Sequence, residues 1–178
     1  MERKKKTSKR LEILNLISDV ITSEDIYSTI KYEKLDEAKI KQYLFQPLQR
    51  VVVKIFNTIL GYSEEYAKKI ARSALRWEGD KQTTVNNFMF FGTQHRPDFD
   101  LELQDINIAI EIKRGDSGAS IREGIGQSLV YTTFYDFCIY LFIDTSKDKS
   151  IKNSFSSDRE KAFVTSLMEH YNIKFIVC

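Results

Sequence analysis

Residues 96–113 read RPDFDLELQDINIAIEIK, and the alternation within them decides the fold. Ile106, Ile108, Ile110 and Ile112 recur at every second position, with Asn107, Ala109, Glu111 and Lys113 between them. A period of two marks a strand, whose side chains leave alternately from its two faces. The run before Gln104 and Asp105 alternates too: Phe99, Leu101 and Leu103 on one face, Asp98, Asp100 and Glu102 on the other. Two such runs joined by a short connection predict antiparallel neighbours, each with one apolar face and one charged face. Pairing them brings Asp98, near the start of one, towards Glu111, near the end of the other. Two carboxylates so placed suit a divalent cation such as Mg²⁺, which takes one or two carboxylates together with water and substrate oxygens. Lys113 adds an ammonium on the face of Glu111.

Upstream, residues 85–91 read as a strand ending at Gly92, and residues 93–96 as the turn into this stretch. Ile40, Leu44, Leu48, Val52, Phe56 and Leu60 step by four, predicting a long helix over residues 36–60. Pro47 is expected to kink or split it near Gln46. Gly61 is a natural residue to follow a helix. Ser63 caps the next helix, with Glu64 and Glu65 in its first turn and Lys68, Lys69 and Arg72 beyond, and the pattern fades over residues 75–78. Earlier still, Leu11, Leu14, Ile17 and Ile21 predict a leading helix that stops at Thr22 and Ser23 before a second segment over residues 25–34. Residues 11–34 therefore read as a helical extension of a core that begins at about residue 35.

Downstream, residues 114–119 form a loop, and Ser120 with Glu123 makes a capping box for a helix to about residue 135. Residues 137–143 are wholly apolar, as in a central strand. A polar loop over residues 144–157, a helix over 158–171 and a strand over 173–178 complete the chain. The predicted fold class is α/β: a mixed β-sheet flanked by helices.

The 178 residues suffice for one domain with a real core, and 42% of them are hydrophobic. No apolar run approaches a membrane span, and the basic start lacks the apolar region of a signal peptide, so a soluble, cytoplasmic protein is expected. Cys138 and Cys178, like His95 and His170, stand in no ligand-like spacing. Of the net charge of +2, residues 1–10 carry six basic groups against one acid, +5, leaving −3 for the remainder. Residues 1–10 read as a flexible basic arm, suited either to phosphate contacts or to a solvated tail.

Pro97-Asp98 followed by Glu111-Ile112-Lys113, carried on two strands, resembles the motif of the PD-(D/E)xK nuclease superfamily. Residues 35–49, LDEAKIKQYLFQPLQ, and residues 60–62, LGY, look like the opening of the nuclease domain of type I restriction enzyme motor subunits and related stand-alone nucleases. The resemblance runs from about Glu37 to Ile143. It implies a restriction endonuclease-like core of order α-β-β-β-α-β within residues 35–178. It also implies Mg²⁺ or Mn²⁺ held by Asp98, Glu111 and the backbone carbonyl of Ile112, with Lys113 holding the attacking water. A helix acid joins such sites; Glu37 matches that position, with Glu64 and Glu78 as competitors, although on its own residues Glu37 is only an acid suited to a first helical turn. Asp100 is the alternative to Asp98. Gln127 and Tyr131, one turn apart, look like the Gln-x-x-x-Tyr element beside such sites, and Gly124 and Gly126 would let that helix lie close to the sheet. Arg96, Arg114, Arg122 and Tyr131 are the expected nucleic-acid contacts. The implied activity is hydrolysis of DNA, endonucleolytic rather than exonucleolytic, with pairing of two copies as an expected option. The alternative is a nucleic-acid-binding or protein-interaction module of the same fold that does not cut.

Overall fold

The computed structural model describes residues 7–23, 26, 31–80 and 83–178. The chain begins with α1 (Ser8–Thr22), a 3-10 turn at Tyr32–Lys34, α2 (Glu37–Lys54), a π turn at Ile55–Ile59 and α3 (Glu64–Ala74). Strands β1 (Leu75–Trp77), β2 (Phe88–Phe90), β3 (Thr93–His95), β4 (Phe99–Leu103) and β5 (Ile106–Gly115) follow. Then come α4 (Gly118–Tyr131), β6 (Phe137–Asp144), α5 (Ser150–Ser154), α6 (Asp158–Tyr171) and β7 (Ile173–Val177). The main sheet has the order β1-β4-β5-β6-β7, and β2 and β3 form a separate hairpin.

β1, β4 and β5 are successively antiparallel, while β5, β6 and β7 are parallel, with α4 crossing between the first parallel pair and α6 between the second. Parallel neighbours require such crossovers, and helices then cover both faces of the sheet. The chain is thus an α/β protein with a mixed five-stranded sheet flanked by helices. The isoleucine face of β5 lies in one core cluster with Phe99, Leu101 and Leu103 of β4 and with Ile13, Leu14, Ile40, Leu44 and Ala71 from α1, α2 and α3. The opposite face packs Ala109, Cys138, Tyr140 and Phe142 against Tyr131 of α4 and Leu167 of α6.

Local chemistry sets the helix starts. Asp36, Ser63 and Ser157 each accept from a backbone N–H three residues on, capping α2, α3 and α6. Gly61 takes φ +77°, the left-handed position expected after a helix.

Several expectations change. Pro47 lies inside α2, which continues to Lys54; Ile40, Leu44, Leu48 and Val51 are buried along it, and that packing outweighs the missing N–H. The irregularity falls at the π turn instead. Residues 75–77 are strand β1, paired with β4, where the helix was expected to fade. Conversely, strand structure around residues 85–91 is limited to Phe88–Phe90, and residues 93–95 form its partner in the small hairpin. The first strand of the three-stranded meander is therefore β1. α4 starts at Gly118, so Ser120 is not a cap, and Ser117 makes no capping bond. α4 ends at Tyr131, and the loop before α6 holds the short α5.

The leading helix packs into the core: Ile13, Leu14, Ile17 and Ile21 are fully buried in the same cluster as the isoleucine face of β5. The arm is shorter than expected, because α1 begins at Ser8, and Arg10 is buried and donates to the carbonyl of Asp105. Residues 1–6 of the basic arm, and residues 25 and 27–30 of the second leading segment, lie outside the described residues.

Candidate functional site

The β4–β5 register pairs Phe99 with Ile110 and Asp100 with Ala109. Continued by one position, it sets Asp98 opposite Glu111 on the face covered by α4. Asp98 stands just before the first residue of β4, so Ile112 has no partner within β4. Its N–H donates to Asp98 Oδ2 at 2.7 Å. In a strand the N–H and C=O of one residue turn to the same edge, so the Ile112 carbonyl also faces the gap that Asp98 fills.

Glu111 is only 4% exposed. Its Oε2 accepts from the Tyr131 hydroxyl at 3.2 Å, and its Oε1 lies 3.4 Å from Lys113 Nζ. Burial, reinforced by the neighbouring charge of Asp98, pushes its carboxyl up to about 8. Burial also raises Asp98, against the pull of Lys41 and the Ile112 N–H. For Lys113, burial acts downward, but Glu111, Glu123 and Glu37 outweigh it and raise the group, so it stays an ammonium at neutral pH. Its Nζ is 3.6 Å from Glu123 Oε1 on α4.

Glu123, Gln127 and Tyr131 are spaced by one turn along α4 and line the face turned to β5. Glu123 reaches Lys113 and Tyr131 reaches Glu111, so Gln127 stands between them. Its Oε1 is buried and has no hydrogen-bond partner among the described residues. Gly124 lets α4 lie this close: a Cβ there would come within 2.2 Å of the Tyr140 ring. Gly126 meets nothing within 4 Å and has no part in the approach.

Glu37 starts α2, and its Oε1 accepts from the Arg114 N–H at 2.9 Å. It therefore bonds the end of β5, beside Lys113, rather than Asp98. Glu64 is exposed and pairs with Lys68 on its own helix, away from the cluster. Glu78 belongs to the cluster: its Oε2 is 2.8 Å from Lys41 Nζ, and its Oε1 accepts from Arg96.

Lys41 is the residue that pattern reading missed. It lies one turn beyond Glu37 on α2, and its Nζ is 2.7 Å from Asp98 Oδ1 while also holding Glu78. Its i,i+4 spacing from Glu37, beside the core positions Ile40 and Leu44, was the available signal. Burial acts to lower it, but Asp98 and Glu78 overcome this and raise it, so it too is an ammonium.

Asp100 is accounted for elsewhere. It is fully buried, bonded to Arg76 Nε at 2.6 Å and to the Asn86 N–H at 2.8 Å. Tyr131, expected to meet nucleic acid, is itself buried, and its hydroxyl lies 3.0 Å from the Arg96 carbonyl as well as near Glu111. Its place is to hold those groups. Arg114 is half-buried and donates to the Glu33 carbonyl at 3.2 Å. Arg96 and Arg122 are exposed at the rim.

Among the described residues, no three His, Cys, Asp or Glu side chains stand close enough to hold an ion by themselves. Asp98, Glu111 and the Ile112 carbonyl amount to a partial oxygen set of the kind Mg²⁺ completes with water and substrate. The fold and the cluster define an α/β protein with a charged site at the end of its β4–β5 pair. Comparison with family models, curated proteins and solved structures finds no match. No helix among the described residues is long and apolar enough to cross a membrane.

Proposed function

We propose that this protein is a Mg²⁺- or Mn²⁺-dependent deoxyribonuclease of the PD-(D/E)xK type, cleaving DNA endonucleolytically. One observation carries the reading: Asp98 is set opposite Glu111 by the strand register, with the Lys113 ammonium 3.4 Å from Glu111. The order of α2 and α3, then β1, β4 and β5, then α4 and β6 supports it, since it runs parallel to the core that the sequence resemblance implies. The donors also fit the ion. Burial raises the proton affinity of both carboxylates, and the charge of Asp98 raises that of Glu111 further; a divalent cation relieves that repulsion.

Bound to Asp98, Glu111 and the Ile112 carbonyl, the ion would supply a more acidic water and neutralise phosphoryl oxygens. Hydrolysis joins a water oxygen to phosphorus and breaks one ester P–O bond. Lys113, being an ammonium, serves as a donor: it orients the water and offsets charge gathering on the phosphoryl oxygens. Tyr131 fixes Glu111 by its hydroxyl. Gln127 offers a carbonyl oxygen with no partner among the described residues, able to accept from water or substrate. Arg96 and Arg122 provide exposed guanidinium groups suited to phosphates. Glu37 acts by holding the Arg114 amide and by its charge on Lys113, rather than as an assured ligand.

Purified protein incubated with supercoiled plasmid, linear duplex and single strands, with Mg²⁺ or with EDTA, is expected to cut only when metal is present. Lys113→Ala and Glu111→Ala are each expected to reduce cutting by about 100-fold or more. Undiminished cutting by both variants contradicts the assignment. Metal binding without turnover on any substrate favours a nucleic-acid-binding module on the same fold.

A further inference from the structure

Lys41 makes the contact to the Asp98 side chain that β5 does not provide. Asp98 Oδ2 is engaged by the Ile112 N–H, whereas Oδ1 meets, among the described residues, the Lys41 ammonium, at 2.7 Å. The same ammonium is 2.8 Å from Glu78 Oε2, and Glu78 in turn accepts from Arg96. The backbone holds the two acids together as well, the Glu78 N–H donating to the Asp98 carbonyl at 3.1 Å. Lys41 is therefore one cation shared by two acids on one short stretch of the sheet edge.

We infer that Lys41 is a built-in counter-ion: its ammonium and the divalent cation are alternative occupants of Asp98 Oδ1, and Lys41 withdraws onto Glu78 when the ion enters. This rests on the reading of Asp98 as a metal ligand. A lysine is suited to the exchange. Its ammonium is a compact charge on a flexible four-carbon stem, without the flat two-pronged grip that makes an arginine–carboxylate pair rigid. Glu78 supplies the resting place, so withdrawal leaves no bare charge behind. An ammonium and a divalent ion on one oxygen repel each other, so entry of the ion favours the move of Lys41 onto Glu78. In the metal-free protein Lys41 keeps Asp98 positioned and neutralised; with metal bound it is a positioning residue turned away from the ligand set.

The test is calorimetric titration of the full chain with Mn²⁺, on wild type, Lys41→Met, Glu78→Gln and the double variant, with thermal melts alongside. Lys41→Met is expected to bind Mn²⁺ about tenfold tighter and to gain more melting temperature from Mn²⁺ than wild type does. Glu78→Gln is expected to bind about threefold weaker, because Lys41 then has only Asp98 to hold. In the double variant that loss is expected to vanish, since no ammonium remains to be displaced. Should Lys41→Met fail to fold, Lys41→Gln, which keeps a donor without the charge, carries the same expectation. Equal or weaker binding by the Lys41 variants overturns the inference while leaving the metal site intact. A loss that persists in the double variant overturns it as well, by making Glu78 a ligand. Absence of Mn²⁺ binding by every one of these proteins removes the metal site itself, and the inference with it.

Discussion

Asp98 and Asp100 lie two residues apart and turn to the same face of the sheet, and each belongs to a group of similar make-up. Asp98 shares Lys41 with Glu78. Asp100 shares Arg76 with Glu102 and has the Tyr135 hydroxyl 3.4 Å away. The groups differ in what closes them. Arg76 sits directly across β1–β4 from Asp100 and grips it through Nε, and the Asn86 N–H takes the other oxygen. Nothing is left for a ligand, and a fixed guanidinium neutralises the acid permanently. Asp98 lies just before the first paired residue of β4, next to the rim, and its cation arrives on a flexible stem from another element. A closed group holds the sheet edge together; an open one can exchange its cation.

Breaking the two groups separately gives the largest contrast. Asp98→Ala is expected to abolish metal-dependent cutting, by about 100-fold or more, while changing stability by about 1 kcal/mol or less, since Lys41 keeps Glu78 and Glu111 loses a repelling neighbour. Asp100→Ala is expected to do the reverse. It leaves the half-buried Arg76 only the exposed Glu102 and takes the acceptor from the Asn86 N–H, at a cost of about 3 kcal/mol, a fall of about 6–12 °C in melting temperature, with cutting retained by the folded fraction. Melts and single-turnover cleavage on the same preparations separate the outcomes, and matching losses in both variants would erase the distinction between the groups.

A smaller effect sharpens the comparison from the Glu111 side. Its carboxyl is raised to about 8 in the folded protein, well above the ordinary range of a glutamate carboxyl. Below the unfolded value both states hold the proton, and the contribution to stability is full. As pH climbs, the unfolded chain ionises first, so stability is lost progressively up to about pH 8. Without metal, the melting temperature is therefore expected to fall between about pH 5 and pH 8, and Glu111→Gln is expected to flatten that part of the profile. An unchanged slope in the variant would mean that another group titrates.

The smallest effects concern how closely α4 approaches the site. Gly124→Ala drives a methyl into the Tyr140 ring and is expected to destabilise by about 1–3 kcal/mol. Gly126→Ala, in open space on the same helix, is expected to stabilise by about 0.5–1 kcal/mol. Chemical denaturation of the pair reads both signs.

Much of this was legible in the alternation of residues 98–113. That pattern gave β4, β5, their turn and the shared face of Asp98, Asp100, Glu111 and Lys113, because strand periodicity is a local property. Gln127 and Tyr131 were placed on the right face by helical spacing, although Tyr131 proved to be a buried support. What escaped was set by distant partners. β1 is three residues long and exists as a strand through its pairing with β4, so no periodicity announces it. Asp100 could not be told from Asp98 without Arg76 and Asn86. Lys41 reads as one more solvated lysine until Asp98 is brought to it across 57 residues of chain. Arg10 likewise looked like part of a basic tail, yet its guanidinium lies 3.5 Å from Asp136.

Anomalous diffraction from crystals soaked in Mn²⁺ tests the central claim most directly. A single strong peak is expected between Asp98 and Glu111, about 2.0–2.3 Å from an oxygen of each, with Lys41 drawn back onto Glu78. No peak at that position, with Lys41 still on Asp98 at saturating Mn²⁺, would contradict it.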